Sequence, residues 1–196
     1  MLQTINLESH LDEISIQGWS VLPVPLKLAE QLAKLATERF KQNIFKHAAL
    51  TESISPIADI RNDKILWLDA KNFTLEQSEV LILNQLELLK TSLQNYFRIH
   101  LSELECHYAV YEPGHFYQRH VDATQANNKR IFSFVIYLNE NWQAEDGGQL
   151  IAYDNEQVLF KILPSAGQMI LFKSTLEHEV VTTAQTRLSL TGWFRK

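Results

Sequence analysis

In His120, Val121 and Asp122 an imidazole and a carboxylate stand two residues apart, at the end of a short run of strand-forming residues. Side chains two apart on a strand leave the same face of the pleat, so both groups can reach one metal ion. A third donor must come from elsewhere in the chain. His178 lies a few residues after the apolar run Gln168–Phe172, at the start of the last pair of expected strands. Two imidazoles and one carboxylate make a facial triad that leaves several positions open on Fe(II), whereas catalytic zinc usually keeps one. A His-x-Asp triplet also arises by chance, and a lone histidine is more often a hydrogen-bonded structural group. His10, His47, His100, His107 and His115 carry no comparable constellation and read as structural or surface residues, with His115 the nearest competitor to His120.

Arg187 follows His178 and opens the last expected strand. There Arg187, Ser189, Thr191 and Trp193 share one face, and Leu188, Leu190 and Phe194 share the other. The first face reads as a pocket wall, the second as core. A guanidinium presents a fixed fork of donors that matches a carboxylate bidentately. It suits the distal carboxylate of 2-oxoglutarate while the keto acid end chelates the metal. Taken alone, Arg187 reads equally well as a solvated charge at a strand end.

The elements that must hold these groups change character along the chain. Leu28, Leu32, Leu35 and Phe40 recur at near-helical spacing between Pro25 and about Leu50; Ile82, Leu86, Leu89, Leu93 and Phe97 do so between Leu75 and Phe97. Both are amphipathic helices whose stripes pack on a sheet. From about Leu104 the pattern becomes short runs rich in β-branched and aromatic residues, separated by Pro113-Gly114, Asp146-Gly147-Gly148, Asp154-Asn155 and the stretch from Pro164 to Gly167. Strands are expected at Glu105–Tyr111, Phe116–Val121, Ile131–Leu138, Gln149–Tyr153, Gln157–Ile162, Gln168–Phe172, Glu179–Thr183 and Arg187–Phe194. The expected fold is α+β: a double-stranded β-helix (jelly roll) with N-terminal helices packed on one outer face. A single domain is expected over residues 1–196. Residues 1–100 are its mainly helical support, with a loop at 55–70, and residues 101–196 are the jelly-roll core.

The 18 basic and 23 acidic residues give a net charge of -5, with no positive excess for a phosphate backbone, so nucleic acid is not an expected partner. The single cysteine, Cys106, reads as a small buried apolar group in a reducing compartment. The N-terminus has neither a basic nor an apolar export region, and no apolar run is long enough to span a bilayer, so a cytoplasmic protein without a membrane partner is expected.

Several separate segments, over about two thirds of the chain, resemble the prolyl hydroxylases that act on hypoxia-inducible factor and their bacterial relatives. They are DIRNDKILWLD (Asp59 to Asp69), YEPGHFYQRHVD (Tyr111 to Asp122), RIFSFVIYLNENW (Arg130 to Trp142), GGQL (Gly147 to Leu150) and HEVVTTAQTRLSLTGWF (His178 to Phe194). The resemblance implies that His120, Asp122 and His178 bind iron and that Arg187 binds 2-oxoglutarate, with Tyr111, Tyr137, Leu150, Thr191 and Trp193 lining the same pocket. It implies that the segment around Arg61, Asn62 and Asp63 is a mobile loop and strand that close over a peptide, with Asp63 tied to the barrel through Arg130. The reaction implied is hydroxylation of a proline in a protein or peptide, using molecular oxygen and releasing succinate and CO2, with L-ascorbate keeping the iron reduced. An intact Asp122 argues against halogenation. Two departures bear on the peptide substrate: the sequence stops soon after the last strand, and Met1 to about Ile57 carries no recognisable motif. The alternatives are a hydroxylase of a free amino acid or small metabolite on the same fold, and a non-catalytic metal-dependent or oxygen-sensing module.

Overall fold

The computed structural model describes residues 6–48, 60–69, 74–123 and 128–196. Residues 55–59 and 70 of the expected loop, Asp59 of its motif among them, lie outside the described residues. Helix α1 spans Leu7–Gln17, α2 Leu26–Lys41 and α3 Gln77–Phe97. The strands are β1 (Trp19–Pro23), β2 (Lys46–His47), β3 (Lys64–Trp67), β4 (Glu103–Tyr111), β5 (Tyr117–His120), β6 (Arg130–Tyr137), β7 (Leu150–Asp154), β8 (Gln157–Ile162), β9 (Gln168–Lys173), β10 (Glu177–Val180) and β11 (Arg187–Arg195).

They form two antiparallel sheets. The major sheet runs β1-β9-β6-β11-β4-β3-β2 and the minor sheet β5-β10-β7-β8. This is the expected jelly roll, with the helices on one outer face of the major sheet. Period-two alternation sorts the strand residues between two cores. Tyr108, Phe132, Phe134, Ile136, Met169, Leu171, Leu190 and Phe194 meet Leu28 and Leu32 of α2 and Ile82, Leu86, Leu89 and Leu93 of α3 in an outer core. Ala109, Tyr111, Val135, Tyr137, Ile170 and Phe172 meet Leu150, Ala152, Phe160 and Val180 of the minor sheet inside the barrel. Each fully buried leucine of the outer core contributes about 1.5–3 kcal/mol by leaving water. At its centre the Glu79 carboxylate of α3 pairs with Arg39 of α2 and accepts a hydrogen bond from the Tyr108 hydroxyl of β4 at 3.0 Å, joining two helices to the sheet.

The first half is less helical than its sequence suggests. Between and around the two expected helices stand α1 and the strands β1, β2 and β3. The second expected helix lies where the periodicity puts it, but the first stops at Lys41, since from Gln42 onward the apolar residues lose helical spacing. Leu11 and Ile14 are the buried contacts of α1, which ends at Gly18 in the left-handed conformation, φ 90°. Strand β1 turns back to pair with β9, Trp19 opposite Phe172 and Pro23 opposite Gln168. In the barrel the expected strand at Glu179–Thr183 is displaced to Glu177–Val180, which puts His178 inside a strand rather than ahead of it. No helix among the described residues is long and apolar enough to cross a membrane.

Candidate metal centre and its cavity

Strands β5 and β10 are paired with His120 opposite His178, and their ring centroids are 4.3 Å apart. Asp122, two residues beyond His120, folds back between them. Its Oδ1 lies 3.6 Å from His120 Nε2 and its Oδ2 3.6 Å from His178 Nε2. The donor atoms of all three residues lie within 4.8 Å of one another. Each imidazole is oriented by its own backbone: His120 Nδ1 donates to the Gln118 carbonyl at 2.7 Å and His178 Nδ1 to the Leu176 carbonyl at 2.9 Å. A carbonyl only accepts, so Nδ1 carries the hydrogen and Nε2 turns a lone pair inward.

Burial pushes the His178 imidazole down to about 4, against the pull of Asp122. Burial alone would raise the Asp122 carboxyl, but His178, His120 and the Ser133 hydroxyl outweigh it and hold the group well below the usual carboxylate range. Ser133 Oγ donates to Asp122 Oδ2 at 2.6 Å and is itself 2.8 Å from Ser174 Oγ, which fixes the carboxylate rotamer. Two inward lone pairs and one ionised carboxylate on a single point suit a divalent ion of the Fe(II) type. His115 is not among the converging donors; its backbone carbonyl accepts from Thr183 in a loop contact.

The same cavity is lined by Arg187, which is 1% exposed. Its Nε donates to the Gly148 carbonyl at 2.9 Å and its Nη1 to Ser189 Oγ at 3.3 Å. Among the described residues no carboxylate comes within ion-pair distance of it. A solvated strand-end charge is thereby excluded. A buried guanidinium without an anion costs several kcal/mol unless a ligand supplies the charge. The guanidinium lies 5.0 Å from the Tyr111 ring and 5.4 Å from the Tyr137 ring. The Tyr137 hydroxyl is buried beside it and meets no hydrogen-bond acceptor among the described residues, and burial raises its pKa, so it stays a protonated donor. Tyr111 and Leu150 line the cavity as hydrophobic wall. Thr191 and Trp193 line it too, but the Thr191 hydroxyl donates to the Phe134 carbonyl at 2.8 Å. The arrangement can hold a metal at one end and a carboxylate at the other.

Arg61 and Asp63 also line the cavity, joined to each other rather than across to the barrel. Arg61 Nε and Nη2 donate to the two Asp63 oxygens at 2.7 and 2.6 Å. The expected tie from Asp63 to Arg130 is therefore corrected. The nearer guanidinium, two residues away, saturates the carboxylate. Arg130 instead lies 3.5 Å over the Trp193 ring and 3.9 Å from carboxylate oxygens of Asp122 and Glu105. Arg61 also stands 4.2 Å over the Tyr117 ring, which is stacked on His120 at 3.6 Å, so the segment reaches a metal-site histidine through two stacked groups.

Sequence reasoning missed His107. It is buried in the cavity wall between Trp67, at 4.6 Å, and Trp193, at 5.4 Å, and its Nδ1 has no partner among the described residues. Burial pushes its imidazole down to about 3. The signal was available, since His107 alternates with Ala109 and Tyr111 on the inward face of β4.

Residues 106–195 match the model of the 2OG-Fe(II) oxygenase superfamily. A prolyl-4-hydroxylase from Pseudomonas putida superposes with a TM-score of 0.87 at 34% identity, over 97% of this chain and 99% of that one. A prolyl hydroxylase from Trichoplax adhaerens, solved with a hypoxia-inducible-factor oxygen-degradation-domain peptide, superposes with a TM-score of 0.81 at 25% identity, over 96% of this chain and 88% of that one. Egl nine homolog 1 of Rattus norvegicus is 32% identical over 145 residues, which are 69% of this chain and 42% of that protein. The chain spans less than half the length of the curated relatives it matches.

Proposed function

The chain belongs to the 2OG-Fe(II) oxygenase superfamily, and from that premise we propose that it hydroxylates a prolyl residue in a protein substrate. The observation that carries this reading is a single cavity with three converging metal donors at one end and a buried, anion-free guanidinium at the other. His120, Asp122 and His178 would hold Fe(II). Arg187, with the Tyr137 hydroxyl beside it, would receive the distal carboxylate of 2-oxoglutarate, and Tyr111, Leu150, Thr191 and Trp193 would wall the molecule in. Bound there, iron and 2-oxoglutarate supply the oxidation, in which O2 gives one atom to succinate and one to the new hydroxyl while CO2 leaves.

The protein's own part is positional. Ser133 and the two backbone carbonyls fix the donor atoms, Arg187 fixes the cosubstrate, and Phe172 and Val180 keep water from the reacting carbon. Arg61 and Asp63 line the cavity, with Arg61 reaching the metal-site histidine His120 through Tyr117, and would order the surface a peptide meets, together with Arg130 over Trp193. Trp67, 40% exposed, continues the wall of His107 and Trp193 outward, and aromatic surfaces of this kind receive prolyl segments. Ascorbate would keep the iron reduced. With a net charge of -5 and one buried cysteine, a cytoplasmic protein substrate fits better than nucleic acid or a membrane.

The test is to incubate the protein with Fe(II), 2-oxoglutarate, ascorbate and labelled O2 in cytosolic protein from cells lacking its gene. One or a few prolines should each gain a single labelled oxygen as succinate forms. Labelling of free proline or another small metabolite, with unlabelled protein, would replace this reading with a small-molecule hydroxylase.

A further inference from the structure

Arg187 has a wall behind it as well as a cavity in front. Gly148, whose carbonyl accepts from Arg187 Nε, is not among the residues that line the cavity, so it supports the side chain from outside that lining. A Cβ at Gly148 would stand 3.0 Å from Arg187 Cδ, 3.2 Å from Trp142 Cζ2 and 3.3 Å from Thr183 Oγ1. All three are tighter than ordinary van der Waals contact. The turn cannot retreat to make room. Trp142 Nε1 donates to the Gly147 carbonyl at 2.9 Å, the Gly148 amide to the Thr182 carbonyl at 3.2 Å, and the Ala184 amide to the Asp146 carbonyl at 2.7 Å. Gly147 and Gly148 hold successive φ values of 70° and 67°, which side-chain-bearing residues rarely adopt.

We infer that Gly148 is a specificity-determining residue that sets the length of keto diacid the cavity accepts. Its missing side chain lets Arg187 retract to a depth that the pinned turn then fixes. The inference rests on the proposed role of Arg187 as receiver of the distal carboxylate. With the keto acid end held at the metal site, the distance to the guanidinium acts as a ruler. A shorter diacid fails to reach it, and a longer one has to buckle against Tyr111 and Leu150. A Cβ at Gly148 pushes Arg187 towards the metal site and shortens the ruler.

The experiment is calorimetric titration of the Mn(II)-loaded protein with 2-oxoglutarate, oxaloacetate and 2-oxoadipate, which needs no turnover. The wild type should bind the five-carbon acid at least about tenfold more tightly than either neighbour. Gly148→Ala should lose about tenfold for 2-oxoglutarate and bring oxaloacetate level with it or ahead, while Mn(II) affinity is unchanged. An unchanged ratio in that variant, or a wild type that binds all three acids within about threefold, overturns the inference. If Gly148→Ala does not fold, Trp142→Phe decides. Loss of the bond to Gly147 should loosen the turn and flatten the length profile, and an unaltered profile counts against the ruler. Arg187→Ala separates the two levels. If it leaves all three affinities intact, the site reading fails and the inference with it; if it weakens all three while Gly148→Ala leaves the ratio alone, only the ruler fails.

Discussion

The two faces of the major sheet treat buried polar groups in opposite ways. On the outer face the Tyr108 hydroxyl donates to Glu79, and Glu79 also pairs with Arg39, so the polar atoms among the helices and the sheet are matched within the protein. On the inner face, among the described residues, the Tyr137 hydroxyl meets no acceptor, His107 Nδ1 and Trp193 Nε1 have no partner, and the Arg187 guanidinium has no anion. An unmatched buried donor costs about 1–3 kcal/mol. The outer face is thus organised for stability, and the inner face holds that cost in reserve for a ligand. Substitutions on the two faces should therefore separate folding from binding.

The largest separation is expected at the metal site. His178→Ala or Asp122→Ala should abolish succinate formation and Fe(II) binding while the protein still unfolds cooperatively. Leu89→Ala on the outer face should cost about 2–5 kcal/mol in denaturant titration and leave 2-oxoglutarate affinity unchanged below its melting range. Next in size is Arg187→Met, which keeps the stem and removes the charge. It should raise the 2-oxoglutarate dissociation constant about 10- to 100-fold while the melting temperature of the ligand-free protein holds or rises. A fall in both would mean that Arg187 is structural.

The sharpest comparison is between two tyrosines. Tyr108→Phe should cost about 1.5–3 kcal/mol of stability, the value of a hydrogen bond to a charged acceptor, with no effect on cosubstrate binding. Tyr137→Phe should hold or raise stability and weaken 2-oxoglutarate binding about fivefold. Exchange of these two outcomes would invert the assignment of the faces.

The effect expected to be smallest at neutral pH is a pH dependence. His107 is held neutral by burial, its imidazole pushed down to about 3, whereas the unfolded chain takes up a proton near the ordinary histidine value of about 6.5. No penalty exists above that value. As pH falls from there towards 3 the unfolded state binds the extra proton, and stability should drop by about 1.4 kcal/mol per pH unit from this group. Melting curves of His107→Phe should show a shallower acid limb than the wild type, and identical limbs would remove His107 from the account.

How much of this was legible in the sequence depended on whether a residue's role was set by its own strand or by a distant one. Alternation along β11 assigned Arg187, Ser189, Thr191 and Trp193 to the pocket and Leu190 and Phe194 to the core, because pleating is a local property. His120 and Asp122 were read the same way. His107 follows the identical rule on β4 and was passed over because a lone histidine carries no ligand pattern. Strands β1 and β2 were missed because they are five and two residues long and take their stability from β9 and β3, not from their own propensity. The Asp63 pairing turned on competition between two arginines, Arg61 and Arg130, and only geometry decides which guanidinium arrives first.

Strand β11 is the last of the described strands and sits between β6 and β4 in the middle of the major sheet. During synthesis, α1, α2 and α3 emerge long before the sheet they cover can close. The apolar stripe around Leu86 and Leu89 waits in water, and β4 and β6 wait as open edges, until Arg187–Arg195 clears the ribosome. Assembly is then an insertion between two existing strands, with high contact order, so folding should be slow and should wait for β11 to emerge. The same event delivers Arg187 to the cavity, so a nascent chain cannot trap 2-oxoglutarate before its sheet is complete.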